Sequence, residues 1–145
     1  MIRKIKLIVI GRIKEEYIEC GIKEYIKRLK PFCNIDIIEL KDKGIKQNSS
    51  FILNIVEKYN KNNIYILDEQ GKERTSIEFS QFLNSLNGET IFIIGGADGI
   101  SNSIKRSYNL ISISKMTFTH EMARLFFIEQ LYRAFMILEN RSYHK

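Results

Sequence analysis

Glu129 and Arg133 stand four positions apart, and Tyr143 and His144 follow in the run Ser-Tyr-His-Lys at residues 142–145. A carboxylate, a guanidinium, a phenol and an imidazole together offer a proton acceptor, several hydrogen-bond donors and a fixed positive charge. Acid–base and anion-stabilising chemistry draws on that set. Each also has a plainer role: a helical ion pair for Glu129 and Arg133, a frayed tail for Tyr143 and His144. Upstream, residues 67–71 (Leu-Asp-Glu-Gln-Gly) put Asp68 beside Glu69, which fits a carboxylate pair, a magnesium site or a solvated turn. Residues 95–99 (Gly-Gly-Ala-Asp-Gly) let backbone amides approach a ligand, because no Cβ stands in the way. They lack the spacing of dinucleotide and phosphate loops and equally fit a strand-to-helix turn. Residues 114–120 (Ser-Lys-Met-Thr-Phe-Thr-His) end on His120, placed to cap a following helix.

These segments need a frame, and the hydrophobic pattern supplies one. Residues 5–10, apolar but for Lys6 and rich in β-branched residues, predict a buried strand. Residues 15–29 place Tyr17, Ile18, Ile22, Tyr25, Ile26 and Leu29 on one helical stripe that Pro31 ends. Strands are predicted at 35–40, 64–67, 91–94 and 110–113, with residues 41–50 as a polar loop. Helices are predicted over the stripe from Phe51 to Tyr59, after the capping box of Thr75 and Glu78, over about 101–107, and over about 120–139. The last is apolar around much of its circumference and calls for two covers, the sheet and a partner subunit. Strict alternation of strands and helices predicts one α/β domain over residues 1–145, a mostly parallel sheet with helices on both faces. Ligands of such sheets bind beyond the carboxyl ends of the strands, where all three unusual segments fall.

Composition narrows the classes. The chain has 145 residues, 44% of them hydrophobic, and a formal charge of +6, too apolar and too weakly charged for disorder. A basic balance favours a polyanionic partner without specifying a fold. Cys20 and Cys33 have no histidine nearby, which argues against zinc and for a reducing compartment. The first apolar run is too short for a signal-peptide core and no segment approaches the ~20 residues of a membrane span, so the expectation is cytoplasmic, with no membrane partner.

Taken together, residues 67–72, 93–99, 112–118, 129–135 and 143–145 match one family in order and spacing. The chain resembles the bacterial large-subunit ribosomal RNA pseudouridine N3-methyltransferases (RlmH type) of the SPOUT class. The likeness begins at the first strand, Lys-Leu-Ile-Val-Ile-Gly at 6–11, and is most specific in the C-terminal half. Two departures stand out: the stretch around 41–50 looks short, and Thr119 replaces a usual proline, which should loosen the turn into the last helix.

The resemblance implies a C-terminal trefoil knot, a homodimer, and S-adenosyl-L-methionine held by Leu67, Gly95, Ile113, Ser114, Lys115, Met116, Thr117 and Phe118. It implies methyl transfer to N3 of a pseudouridine in a ribosomal RNA stem-loop, on a large subunit or whole ribosome and without metal. The N3–H is a weak acid, so attack requires deprotonation or a donor that stabilises charge growing on the ring carbonyls. His144 (as base or donor), Tyr143, Arg133 and Glu129 (orienting Arg133 or relaying the proton) are the catalytic candidates. RNA contacts would come from Arg12, Lys14, Lys105, Arg106, Arg124 and Lys145. Two alternatives remain open: a nucleotide- or flavin-binding oxidoreductase using the glycine loop, and a ribosome-associated factor that keeps the fold without transfer.

Overall fold

The computed structural model describes residues 3–145. Strand β1 (Arg3–Ile10) contains the expected run, and from Leu7 to Ile10 it is buried on both faces because helices cover both sides of the sheet. The order is β2-β1-β4-β3-β5, all parallel, with β2 at Cys33–Leu40, β3 at Ile64–Glu73, β4 at Thr90–Ile94 and β5 at Asn109–Ser112. Ile8 pairs with Ile38 of β2 on one side and Ile93 of β4 on the other. Parallel strands need crossovers, and the helices that supply them cover both faces. On one face α1 (Glu16–Leu29), α3 (Ser76–Ser85) and α5 (His120–Leu138) bury Leu7, Val9, Phe92 and Phe127. On the other, α2 (Ile45–Val56) and α4 (Asn102–Ser107) bury Ile8, Ile10, Ile66 and Ile93.

Local signals account for most boundaries. The Thr75–Glu78 capping box is formed in both directions, and Ser101 caps α4. Gly88, at φ +76°, turns the chain between α3 and β4. Cys33 opens β2 two residues earlier than expected; burial pushes its thiol up to about 11, away from reactivity.

Three expectations need correcting. The stretch 41–50 is not all loop, because α2 begins at Ile45. Its polar residues find partners within the segment. Asn48 accepts from the Lys43 amide and donates to Asp42 at 3.0 Å each, and Ser49 bonds back to the Ile45 carbonyl. Such a turn of helix shows no apolar stripe. His120 is not the cap of α5; Thr119 is, its hydroxyl accepting from the Met122 amide at 3.2 Å. The threonine in place of proline therefore secures the turn that it was expected to loosen. The two flanks of α5 are covered by α1 and α3 of the same chain, although Phe126 stays 40% exposed.

Arg124 is the third correction. It was counted among the RNA-facing cations, but its side chain is 3% exposed and donates to the carbonyls of Ile10 (3.1 Å) and Gly11 (2.8 Å) while pairing with Glu39 at 3.3 Å. It closes the end of β1. Replacing Arg124 by leucine strips two carbonyls of their donor, and chemical denaturation should record a loss on the order of 3 kcal/mol. By contrast Arg12, Lys14, Arg106 and Lys145 are exposed. Lys105 is committed to Asp68, at 2.7 Å.

Candidate active site

The carboxyl ends of β3, β4 and β5 open into a cleft of about 460 Å³. Each wall follows from a local feature of the sequence. Leu67 ends the part of β3 that pairs regularly with β5, and the strand then leaves its partner and rejoins it at the same place: Leu67 and Lys72 are both in register with Ile111. Residues 68–71 bulge outward to make one rim. Gly71 lies against the backbone of Ile111 so closely that a Cβ would fall 2.6–2.7 Å from its main-chain atoms. The second wall is the glycine loop after β4. Gly99 sits at φ +77° and its amide returns to the Gly96 carbonyl at 3.0 Å, while a Cβ on Gly96 would meet Ile10 at 3.0 Å. The third is the segment after β5. The Ser112 hydroxyl donates to the Ser114 carbonyl (2.7 Å) and accepts from its amide (3.1 Å), and the Ser114 hydroxyl accepts from the Met116 amide. Thr117 donates to Glu69, tying the third wall to the rim.

Seven of the eight positions expected to hold the cofactor line this cleft: Leu67, Gly95, Ile113, Ser114, Met116, Thr117 and Phe118. Lys115 does not. Its side chain is 85% exposed and faces Glu73 at 3.6 Å. Ile100 and Ala123 also line the cleft, and nothing in their own sequence surroundings marks them; folding brings them there. Apolar side chains and backbone dominate the interior, and ionisable side chains are confined to Asp68, Glu69, Lys105 and His120.

The second constellation lies elsewhere. Glu129 Oε1 accepts from Arg133 Nε (3.0 Å) and Nη2 (2.6 Å) and from the Tyr143 hydroxyl (2.9 Å). Its other oxygen accepts from Gln130 at 3.2 Å. Arg133 Nη1 lies 3.1 Å from His144 Nδ1, and its guanidinium stands 4.8 Å from the centre of the Tyr143 ring. So residues 143 and 144 are pinned, not frayed. An arginine can only donate, so Nδ1 presents a lone pair to it and the proton of the neutral ring sits on Nε2. Tyr25 of α1 joins the network through a 3.0 Å contact between phenol oxygens. Its place on the α1 stripe made it look like core alone. Burial, with the hydrogen bonds to Tyr25 and Glu129, raises the Tyr143 phenol far above its ordinary range and keeps it protonated. The Glu129 hydrogen bond likewise raises Arg133.

All four catalytic candidates therefore meet in one cluster, yet none lines the cleft. Ala123 touches the cleft from the first turn of α5, and at 1.5 Å per residue Glu129 and Arg133 lie about 9 and 15 Å further along the axis. A smaller cavity of about 270 Å³ adjoins both, sharing Ile113 and Phe118 with the cleft and Glu129 with the cluster. Among the described residues no three His, Cys, Asp or Glu side chains gather as a metal site requires, and no helix is long and apolar enough to cross a membrane.

Comparison with known proteins places this geometry. Residues 3–144 match the family described as predicted SPOUT methyltransferase. Proteins named ribosomal RNA large subunit methyltransferase H are similar over nearly the whole length of both partners. The protein from Halothermothrix orenii is 40% identical (98% of this chain, 99% of the relative), that from Streptococcus mutans 41% (98% and 99%) and that from Dictyoglomus thermophilum 45% (97% and 98%). The first two alignments run over 158 positions against 145 residues here, so those relatives carry residues that this chain lacks. A probable methylase family protein from Haemophilus influenzae shares the fold, with a TM-score of 0.58 at 11% identity over 100% of this chain and 72% of its own. The strand order, the cleft at the carboxyl ends of β3, β4 and β5, and these matches agree: the chain belongs to the SPOUT methyltransferase family.

Proposed function

We propose that this protein methylates N3 of a pseudouridine in a stem-loop of the large-subunit ribosomal RNA, taking the methyl group from S-adenosyl-L-methionine. The near full-length similarity to proteins named ribosomal RNA large subunit methyltransferase H carries this reading. The cleft fits the donor. Its volume is within the usual range for small-molecule sites, its apolar lining suits an adenine, and Gly95 and Gly96 let the loop pack closely enough for its backbone to form one wall. Leu67, Gly95, Ile113, Ser114 and the run to Phe118 would hold it. Lys115 stands outside the lining and keeps only its place in the run.

Bound there, S-adenosyl-L-methionine supplies an electrophilic methyl group on a sulfonium. The chain then has two tasks. The cleft fixes the donor so that the approach of a base nitrogen becomes effectively unimolecular. The tail cluster stabilises the ring anion left as N3 loses its proton. Arg133, oriented by Glu129, offers guanidinium N–H groups, and His144 offers Nε2–H, both aimed at carbonyl oxygens. Glu129 is a positioning residue: its oxygens already accept from Arg133, Tyr143 and Gln130, so the N3 proton passes to solvent.

Because the cluster stands about two to three helical turns from the cleft of its own chain, the methyl group would meet the cluster of a second copy. A homodimer follows, as does a use for the exposed Phe126 between the two sites. The trefoil knot is supported by the excursion of residues 68–71 around Ile111 and by the Glu69–Thr117 tie across the following segment. One domain spanning residues 1–145, exposed Arg12, Lys14, Arg106 and Lys145 for RNA phosphates, and a cytoplasmic location with the ribosomes complete the reading; neither metal nor membrane enters it.

Transfer of radiolabelled methyl from S-adenosyl-L-methionine to ribosomes lacking the modification, with free ribosomal RNA alongside, tests it. Label in one stem-loop of the large-subunit RNA, strongest on assembled ribosomes, is expected. Donor binding without label in either substrate overturns the assigned acceptor.

A further inference from the structure

Charge in the cleft is concentrated on one rim. Asp68 Oδ2 and Lys105 Nζ are 2.7 Å apart, and their side chains are only 11% and 30% exposed. Asp68 Oδ1 also accepts from the Gln70 amide at 2.9 Å, which fixes the carboxylate within its turn. Burial alone would raise the Asp68 carboxyl; the hydrogen bonds from Lys105 and Gln70 outweigh it and hold the group below its ordinary range, hence ionised. Glu69, the other carboxylate of the rim, is already engaged by Thr117. Neither Asp68 nor Lys105 shares a hydrogen bond with the Glu129–Arg133 cluster. Other residues of the lining, among them Ile94, Ile100 and Phe118, carry no charge.

An ion pair half-withdrawn from water at the edge of an apolar cleft matches one kind of ligand end: a zwitterion whose two charges sit on the same carbon. Such a ligand exchanges one close pair for two, Asp68 with its cation and Lys105 with its anion, so no charge is left desolvated without a partner. A neutral ligand end would have to leave the existing pair closed. We propose that Asp68 and Lys105 together recognise the α-ammonium and α-carboxylate of the donor's methionyl group, Asp68 binding the ammonium and Lys105 the carboxylate. The inference rests on the reading of this cleft as the methyl-donor site.

Calorimetric titration of the full chain, of Asp68→Asn and of Lys105→Met with two ligands tests it. S-adenosylhomocysteine carries the amino-acid end; 5′-methylthioadenosine has the same adenosine and thioether without it. Each variant should lose about tenfold or more in affinity for S-adenosylhomocysteine and stay within about twofold for methylthioadenosine, as expected for loss of a charge-assisted contact. Equal weakening toward both ligands would assign the pair to the adenosine portion or to the shape of the rim and overturn the proposal. Unchanged binding of both would make the pair structural and overturn it too. If the unsubstituted chain binds neither ligand, the donor-site reading itself fails, and the proposal with it.

Discussion

Substitution of His144 by alanine should lower methyl transfer to ribosomes by about a thousandfold, the scale set by removing one donor from a developing anion in a site shielded from water. Binding of S-adenosylhomocysteine should not change, because His144 touches Arg133 and not the cleft. Arg133→Lys keeps the charge but loses the fork that spans Glu129 and His144, and a loss of about a hundredfold is expected. Single-turnover transfer and calorimetry, run on the same preparations, separate chemistry from binding. Preserved transfer in His144→Ala would remove the imidazole from the mechanism. The composite site adds a sharper expectation. His144→Ala and a cleft-plugging Ala123→Trp are each inactive alone. Mixed and allowed to exchange subunits, they should regain about a quarter of the parent activity, since half the dimers then hold one intact cleft facing one intact cluster. No recovery on mixing would place cleft and cluster in the same copy.

Gly71→Ala is expected to damage stability and donor binding together. A Cβ there would stand 2.6–2.7 Å from the backbone of Ile111, and backbone cannot swing aside as a flexible side chain can. Either β5 moves away, breaking the register of Leu67 and Lys72 with Ile111, or the rim at residues 68–71 is displaced. Overpacking of this kind costs about 1–3 kcal/mol. Both responses also shift Leu67 and Ile113 in the cleft, so binding of S-adenosylhomocysteine should fall together with the melting temperature. Alanine at Gly44, whose Cβ position is empty, is the control: its φ of +89° strains the backbone, but it lies outside the cleft and should leave binding intact. Unchanged melting and binding in Gly71→Ala would mean that the close approach is not a constraint.

The frame was legible wherever burial is periodic or a cap has a side chain to show for it. β1, α1, the Thr75–Glu78 box and the Ser101 cap stand where their residues predict. The misreadings each have a physical cause. The first turns of α2 are stabilised by side-chain bonds of Asn48 and Ser49 within the segment, and those residue types ordinarily mark a loop. The second half of β3 has no apolar alternation because it wraps a partner strand instead of facing a core. Arg124 looked like a surface cation since nothing local reveals that two carbonyls more than a hundred positions away need its donors. In the site, the motif segments located seven lining residues of the cleft, whereas the separation of cleft from tail cluster depends on distance along α5 and is invisible in spacing.

The Arg124 bond also bears on how the chain reaches this state. Its guanidinium joins residues 113 and 114 positions apart in the sequence, so the end of the first strand to be made is completed by a helix among the last. Contacts of such long range are slow to form, because the intervening chain must be closed before they contribute. Until α5 arrives, Ile10 and Gly11 keep their carbonyls in water and the centre of the sheet stays open at one end. Folding should accordingly be slow, and forms that have yet to dock α5 would expose strand edges that invite aggregation.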